Sequence, residues 1–135
     1  VNVALRTGSR KMYSAIHAGV NVAPDQRLYS FGFGLGKDFS LSKHLFLNAE
    51  LSNHTLYAGT WDYINLQNKV SLNLQWQPVK GFSIYAGPSF SIFISDQQTA
   101  VAGYKFPAYS DALRTYDFSN RVKGWIGFTA GVNFF

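Results

Sequence analysis

Apolar and polar side chains alternate through one segment of this chain after another. Between positions 63 and 77 the even-numbered residues are mostly large and apolar, and the odd-numbered ones are polar: Ile64, Leu66, Asn68, Val70, Leu72, Leu74 and Trp76 against Asn65, Gln67, Lys69, Ser71, Asn73 and Gln75. Successive side chains of a β-strand point to opposite faces, so this period of two predicts a strand with one apolar and one polar face.

The same alternation predicts seven strands, which cover positions 1–6, 11–22, 29–39, 44–54, 63–77, 82–94 and 123–135. Residues that favour turns separate them: Thr7-Gly8-Ser9, Ala23-Pro24-Asp25-Gln26, Ser40-Leu41-Ser42-Lys43 and Pro78-Val79-Lys80-Gly81. Pro88 removes a hydrogen bond inside the sixth strand, so we expect a bulge or a bend there. The 135 residues predict a single domain, 1–135, folded as an antiparallel up-and-down β-barrel.

Composition favours lipid as the surroundings of the apolar face. Only 14% of the residues are charged, which is too few to coat an ordinary soluble surface, and no apolar run is long enough for a membrane helix. Aromatic residues fall where strands end, in two groups: Tyr57, Trp61 and Tyr63, and Phe39, Trp76, Phe82 and Phe134. Paired aromatic belts mark the two interfaces of a transmembrane barrel. The alternative is a soluble, lipocalin-like barrel with the apolar face inside around a ligand.

Two segments carry a resemblance to a known class of proteins. They are the glycine-rich strand Phe31-Gly32-Phe33-Gly34-Leu35-Gly36 and the ending Gly127-Phe128-Thr129-Ala130-Gly131-Val132-Asn133-Phe134-Phe135. With its strand pattern, the chain resembles small outer-membrane β-barrels of Gram-negative bacteria, which include OmpA- and OmpX-like barrels and the PorT-like barrels of Bacteroidetes. The resemblance implies an integral outer-membrane protein of about eight strands. It also implies a filled lumen without an open pore, and short turns and a C-terminus in the periplasm.

The strand count and the last residues depart from that class. Bacterial barrels normally have an even number of strands, and seven leave one unpaired. The eighth strand could precede Val1, come from the segment between Asp96 and Arg121, or belong to a larger barrel of which this is the C-terminal part; we expect the first. A terminal aromatic serves these barrels as an assembly signal, but the apolar register here ends at Phe134, one position before Phe135.

The polar face carries several ionisable residues, for which we expect an internal network of ion pairs and hydrogen bonds, because a charge buried without a partner is costly. They are Arg6, Lys11, Asp38, Glu50, Lys69 and Lys123, with His17, His44 and His54.

One row on that face also has the residue types of a base-activated serine: Glu50, Ser52 and His54, at alternate positions of the fourth strand. The row resembles, with the order of its residues reversed, the lipid A deacylase barrels, which implies a lipid-modifying enzyme. Packing inside the barrel is the simpler interpretation, and we expect no enzyme.

The long segment after the sixth strand mixes aromatic and basic side chains, as recognition surfaces do. Its candidate binding residues are Tyr104, Phe106, Tyr109, Arg114 and Tyr116. The alternative is a loop that merely covers the barrel mouth. A binding role would fit a structural or interaction protein, such as a subunit of a larger envelope complex, with outer-membrane lipid and protein partners.

Other classes of function find little support in the sequence. The net charge is +5, but the basic residues are scattered, so we expect no nucleic-acid partner. The chain has no cysteine and no motif for a metal ion or a nucleotide, so we expect no metal site and no cofactor.

Overall fold

The residues that the structure describes form one sheet of eight strands in which every neighbouring pair is antiparallel. The computed structural model describes residues 2–9, 12–23, 26–57, 65–96, 112–119 and 121–134. The strands are β1 (Asn2–Ser9), β2 (Met12–Ala23), β3 (Gln26–Ser40), β4 (Leu45–Tyr57), β5 (Asn65–Val79), β6 (Phe82–Ser95), β7 (Ala112–Asp117) and β8 (Val122–Phe134). The prediction of an all-β, antiparallel domain with about eight strands is confirmed. No helix in these ranges is long and apolar enough to cross a membrane.

An eighth strand lies in the segment between Asp96 and Arg121, one of the three places considered, although we expected it before Val1. It is β7, a strand of 6 residues that pairs with β8. Strands β1 to β6 follow one another in the sheet, β8 lies beside β6, and β7 lies outside β8. The sheet is therefore open, with β1 and β7 at its two edges.

Two local predictions need correction. Thr7-Gly8-Ser9 belongs to β1 and is not a turn, because Ser9 pairs with Met12 and the connection falls between those two residues. The bulge expected at Pro88 is absent, because the ladder between β5 and β6 omits the pairs of Leu72 and Asn73 and resumes in the same register. The register shift of this strand pair lies at the turn end, between Trp76 and Val79.

The two faces of the sheet differ in exposure as the alternation predicts. On β5 the outer side chains are about half exposed, with Leu72 at 45% and Trp76 at 53%, whereas Asn73 and Gln75 on the opposite face are each 3% exposed. The same inversion recurs on β3, where Phe31 and Phe33 are exposed and Gly34 and Gly36 are buried. The buried face is thus the polar one, and the exposed face is the apolar one.

A single-layer sheet can bury one of its faces only by curling around it, and three observations describe that curl. The guanidinium carbon of Arg6 on β1 lies 6.0 Å from the ring centroid of Tyr85 on β6. The Thr129 hydroxyl on β8 donates to Asn73 Oδ1 on β5 at 2.7 Å, across the intervening strand. Phe93 and Trp125, on the concave side, are fully buried.

The strand register assigns the aromatic residues to the two ends of the sheet. The turn end is the one with the connections β1–β2, β3–β4 and β5–β6, and it contains Phe39, Trp76 and the pair Phe82–Phe134. Tyr57 lies at the opposite end, which we call the loop end, with its ring 6.5 Å from that of Tyr29. Trp61 and Tyr63 fall outside the described residues.

Candidate functional site

The most concentrated chemistry on the buried face surrounds Glu50, in the middle of β4. Its Oε2 atom lies 3.1 Å from Arg6 Nη2 and accepts a hydrogen bond of 2.7 Å from the Tyr13 hydroxyl. Its Oε1 atom lies 3.2 Å from His17 Nε2. We call Arg6, Tyr13, His17 and Glu50 the Glu50 cluster; it joins β1, β2 and β4.

Two glycines on β3, Gly34 and Gly36, allow the Glu50 cluster to form. Tyr13 and His17 on β2 must reach over β3 to meet Glu50, and two strand spacings amount to about 9.6 Å. A Cβ atom on Gly36 would collide with the Tyr13 ring, and one on Gly34 would lie 2.9 Å from His17 Nε2. Side chains from β2 therefore lie flat over the bare backbone of β3. In the sequence, the alternation of large apolar residues with glycines along β3 is the signal that side chains from β2 can lie across this strand.

Hydrogen bonds extend the cluster towards the turn end. Asn48 Nδ2 donates to both the Tyr13 hydroxyl and Asp38 Oδ1, each at 2.6 Å. The Arg6 guanidinium also lies over the Tyr13 ring, 4.6 Å from its centroid. The two carboxyl groups in this chain of contacts, those of Glu50 and Asp38, thus each accept hydrogen bonds from residues on other strands.

The electrostatics of the cluster favour a structural role. The Glu50 side chain is 8% exposed, and a carboxylate taken out of water is costly unless charged or hydrogen-bonding groups surround it. Arg6 supplies the opposite charge, and Tyr13 supplies a hydroxyl donor. The predicted internal network is therefore present around Glu50, on residues of four consecutive strands when Asp38 on β3 is included.

The candidate catalytic row is brought together only in part. Ser52 Oγ and His54 Nε2 lie 3.0 Å apart, and both side chains are buried. Glu50, however, contacts Arg6, Tyr13 and His17. The other ring nitrogen of His54, Nδ1, faces the backbone of Gly32, because a Cβ atom added to Gly32 would lie 2.5 Å from it. The row thus forms a serine–histidine pair that faces the interior of the sheet, and its acid is engaged by other residues.

Two further ionisable residues of the predicted inner face, Lys123 and His44, lie near the two ends of the sheet. Lys123 Nζ lies 3.4 Å from Asp117 Oδ1 and links β8 to β7 at the loop end. His44 is in the exposed bend after β3, with its Nδ1 atom 3.0 Å from the Gln77 carbonyl oxygen. Lys69 on β5 pairs with Ser52 of β4 in the strand register, and Lys11 lies outside the described residues.

The candidate binding residues of the long segment are only partly described. Tyr104, Phe106 and Tyr109 lie outside the described residues. Arg114 and Tyr116 lie on the edge strand β7 and not in a loop; the guanidinium carbon of Arg114 is 5.3 Å from the centroid of the Tyr116 ring. Among the residues that the structure describes, no group of three or more His, Cys, Asp or Glu side chains could hold a metal ion.

Sequence reasoning assigned Arg6, Tyr13 and His17 to the polar face but did not connect them to Glu50. Periodicity predicts which face a side chain occupies, but not which side chains on different strands meet. The signal that could have connected them is the spacing of Gly32, Gly34 and Gly36, which leaves an empty strip between β2 and β4.

We expect Gly36→Ala to destabilise the protein by roughly 1–3 kcal/mol, because the new methyl group overlaps the Tyr13 ring. Denaturant titration of the purified variant measures this loss. Adding Tyr13→Ala removes the collision, so the double variant should lose clearly less than the sum of the two single losses. Additive losses would show that Tyr13 does not lie over Gly36.

The fold and the geometry of the site are described from this chain alone, because comparison of the chain with protein-family models, with curated proteins and with solved structures returned no match.

Proposed function

We propose that this protein is a small transmembrane β-barrel of the Gram-negative outer membrane, with a structural or interaction role and a filled lumen. The inverted burial of the sheet carries the proposal. Large apolar side chains are exposed on strands across the sheet, from Leu5 at 74% on β1 to Val132 at 52% on β8, while polar side chains are buried. A sheet in water would bury the opposite face, because burial of apolar surface drives folding.

The height of the apolar face matches a membrane. On β3 the exposed apolar positions run from Tyr29 to Phe39, with Lys37 as the one charged residue among them. Ten residue steps of about 3.3 Å span roughly 33 Å, and a strand tilt of about 40° reduces this to roughly 25 Å along the membrane normal. That is the height of the apolar band on outer-membrane barrels.

The orientation of the edge strands favours closure of the sheet. Strands β1 and β8 run in the same direction, so they could meet only in parallel. Strand β7, outside β8, runs the opposite way, so closure would give β1 an antiparallel neighbour. Closure would remove both open edges, which a sheet in hydrocarbon cannot leave unpaired. The short distance between Arg6 and Tyr85 supports this step, because it brings β1 close to β6 across the concave side.

The filled interior supports a role without conduction. In an eight-stranded barrel, inward side chains occupy the lumen. Here the Glu50 cluster, Phe93 and Trp125 lie on the concave side of the sheet, where a closed barrel would have its lumen. The pair Ser52–His54 faces that same packed interior, whereas an acyl chain would lie on the outer face. We therefore prefer a structural or interaction protein, with lipid and envelope proteins as partners, to a lipid-modifying enzyme.

A charge introduced on the apolar face should lower the unfolding free energy by an amount that depends on its depth in the membrane. Leu72 lies near the middle of β5, and Val79 lies at its turn end; both side chains are exposed. In lipid vesicles we expect Leu72→Arg to cost about 2–4 kcal/mol of unfolding free energy and Val79→Arg about 0–1 kcal/mol. Denaturant titrations of both variants in the same vesicles provide the comparison. Small and equal costs would indicate that water covers this face.

Closure of the sheet predicts resistance to detergent unfolding. A closed barrel has no strand edge open to attack, so the unheated protein should run as a compact, fast band in dodecyl sulfate gels and shift on boiling. The protein should precipitate in buffer without detergent. A single mobility with and without boiling, or a monomer that stays soluble without detergent, would contradict the proposal.

A further inference from the structure

Lysines are concentrated at the turn end of the sheet. Lys37 lies on the outer face of β3, Lys43 lies in the bend between β3 and β4, and Lys80 lies in the turn between β5 and β6. All three side chains are exposed, and none of the three forms an ion pair with a described residue. We call Lys37, Lys43 and Lys80 the lysine rim.

Backbone contacts hold two of these segments side by side. The Gln77 N–H donates to the His44 carbonyl oxygen at 2.8 Å, and the Gln77 carbonyl oxygen lies 3.0 Å from His44 Nδ1. The bend that contains Lys43 is thereby attached to the end of β5, which continues directly into the turn that contains Lys80. Lys43 and Lys80 therefore lie in adjacent connections at the turn end of the sheet.

Aromatic side chains lie beside the lysine rim on the outer face. Lys37 Nζ lies 4.9 Å from the centroid of the Phe39 ring, so the Lys37 side chain leans towards the turn end. Phe39 is 44% exposed and Trp76 is 53% exposed. Lysines that extend from apolar surface towards headgroups, next to aromatic rings, are typical of a membrane interface.

The turn end has no acidic side chain on its outer face within the described ranges. Asp38 points to the concave side, where Asn48 Nδ2 donates to it. The loop end differs, because it carries both signs of charge: Asp96, Asp117, Arg121 and Lys123. Among the described residues, the turn end is therefore the one that presents a positive rim without acidic side chains beside it.

We propose that the lysine rim binds the phosphate groups of anionic phospholipids in the leaflet at the turn end. This inference rests on the proposed function, because it needs the apolar face in lipid. Each lysine near a membrane surface contributes about fivefold to the attraction of anionic lipid, and a phosphate oxygen is a suitable acceptor for an ammonium group.

Trp76 provides the measurement, since its ring is exposed on the outer face at this end. The protein is reconstituted in vesicles of phosphatidylcholine mixed with phosphatidylglycerol, with bromine on the acyl chains of one lipid at a time. The difference between the protein and its Trp76→Phe variant gives the quenching of Trp76. The ratio of quenching by the two brominated lipids then gives the relative affinity of this surface for phosphatidylglycerol.

We expect Trp76 to favour phosphatidylglycerol several-fold in low salt, and the preference to disappear near 1 M salt, where the screening length is about 3 Å. The triple variant Lys37→Gln, Lys43→Gln, Lys80→Gln should bring the ratio close to one and still insert. Arg121→Gln, which removes a cation at the loop end, is the matched control and should leave the ratio unchanged.

The outcomes separate this inference from the proposed function. Quenching by neither lipid would overturn the membrane proposal itself, whereas equal quenching by both would overturn only the lysine rim. If Arg121→Gln also lost the preference for phosphatidylglycerol, the preference would depend on net charge, and the proposal of a lysine rim would be overturned. Inorganic phosphate at millimolar concentration should not abolish the preference; if it does, the rim binds free phosphate and is not specific for lipid.

Discussion

The structure depends on contacts that the buried polar side chains of the sheet make with one another across its concave side. A soluble protein leaves polar groups to water, but here apolar side chains occupy the exposed side and the polar groups must find partners across the concave side. The Glu50 cluster is the clearest case, since one carboxyl group draws donors from β1 and β2 over the glycines of β3. The curl of the sheet, the spacing of the glycines on β3 and the charged residues of the interior thus all follow from the need to pair buried polar groups.

The same constraint limits what the protein can do. An interior crowded by Tyr13, Phe93 and Trp125 leaves the outer face, the two rims and the connections as the places for interaction. The serine–histidine pair of Ser52 and His54 has hydrogen-bond geometry but faces the packed side, and Glu50 is held by the cluster instead of by His54. The structural or interaction role that we propose would use the surfaces that remain, and the lysine rim is one of them.

Periodicity predicted most of the fold, because a strand with one apolar and one polar face appears in the sequence as an alternation of apolar and polar residues. It could not predict β7, whose six residues, Ala112–Asp117, alternate poorly and owe their strand conformation to pairing with β8. It also misassigned Thr7-Gly8-Ser9, since turn-forming residues can lie in a strand next to its connection. The meeting of Arg6 with Glu50 depends on strand order and curl, which no local pattern encodes.

The central claim is that lipid covers the apolar face and protein fills the polar one. Because the chain has no cysteine, spin labels can be attached to single cysteines at each position from Val70 to Gln77 in vesicle-bound protein. Collision with oxygen dissolved in the bilayer should be frequent at the even positions and rare at the odd ones, a period of two. Even positions that collide instead with a water-soluble nickel complex, or the absence of a period, would contradict the account.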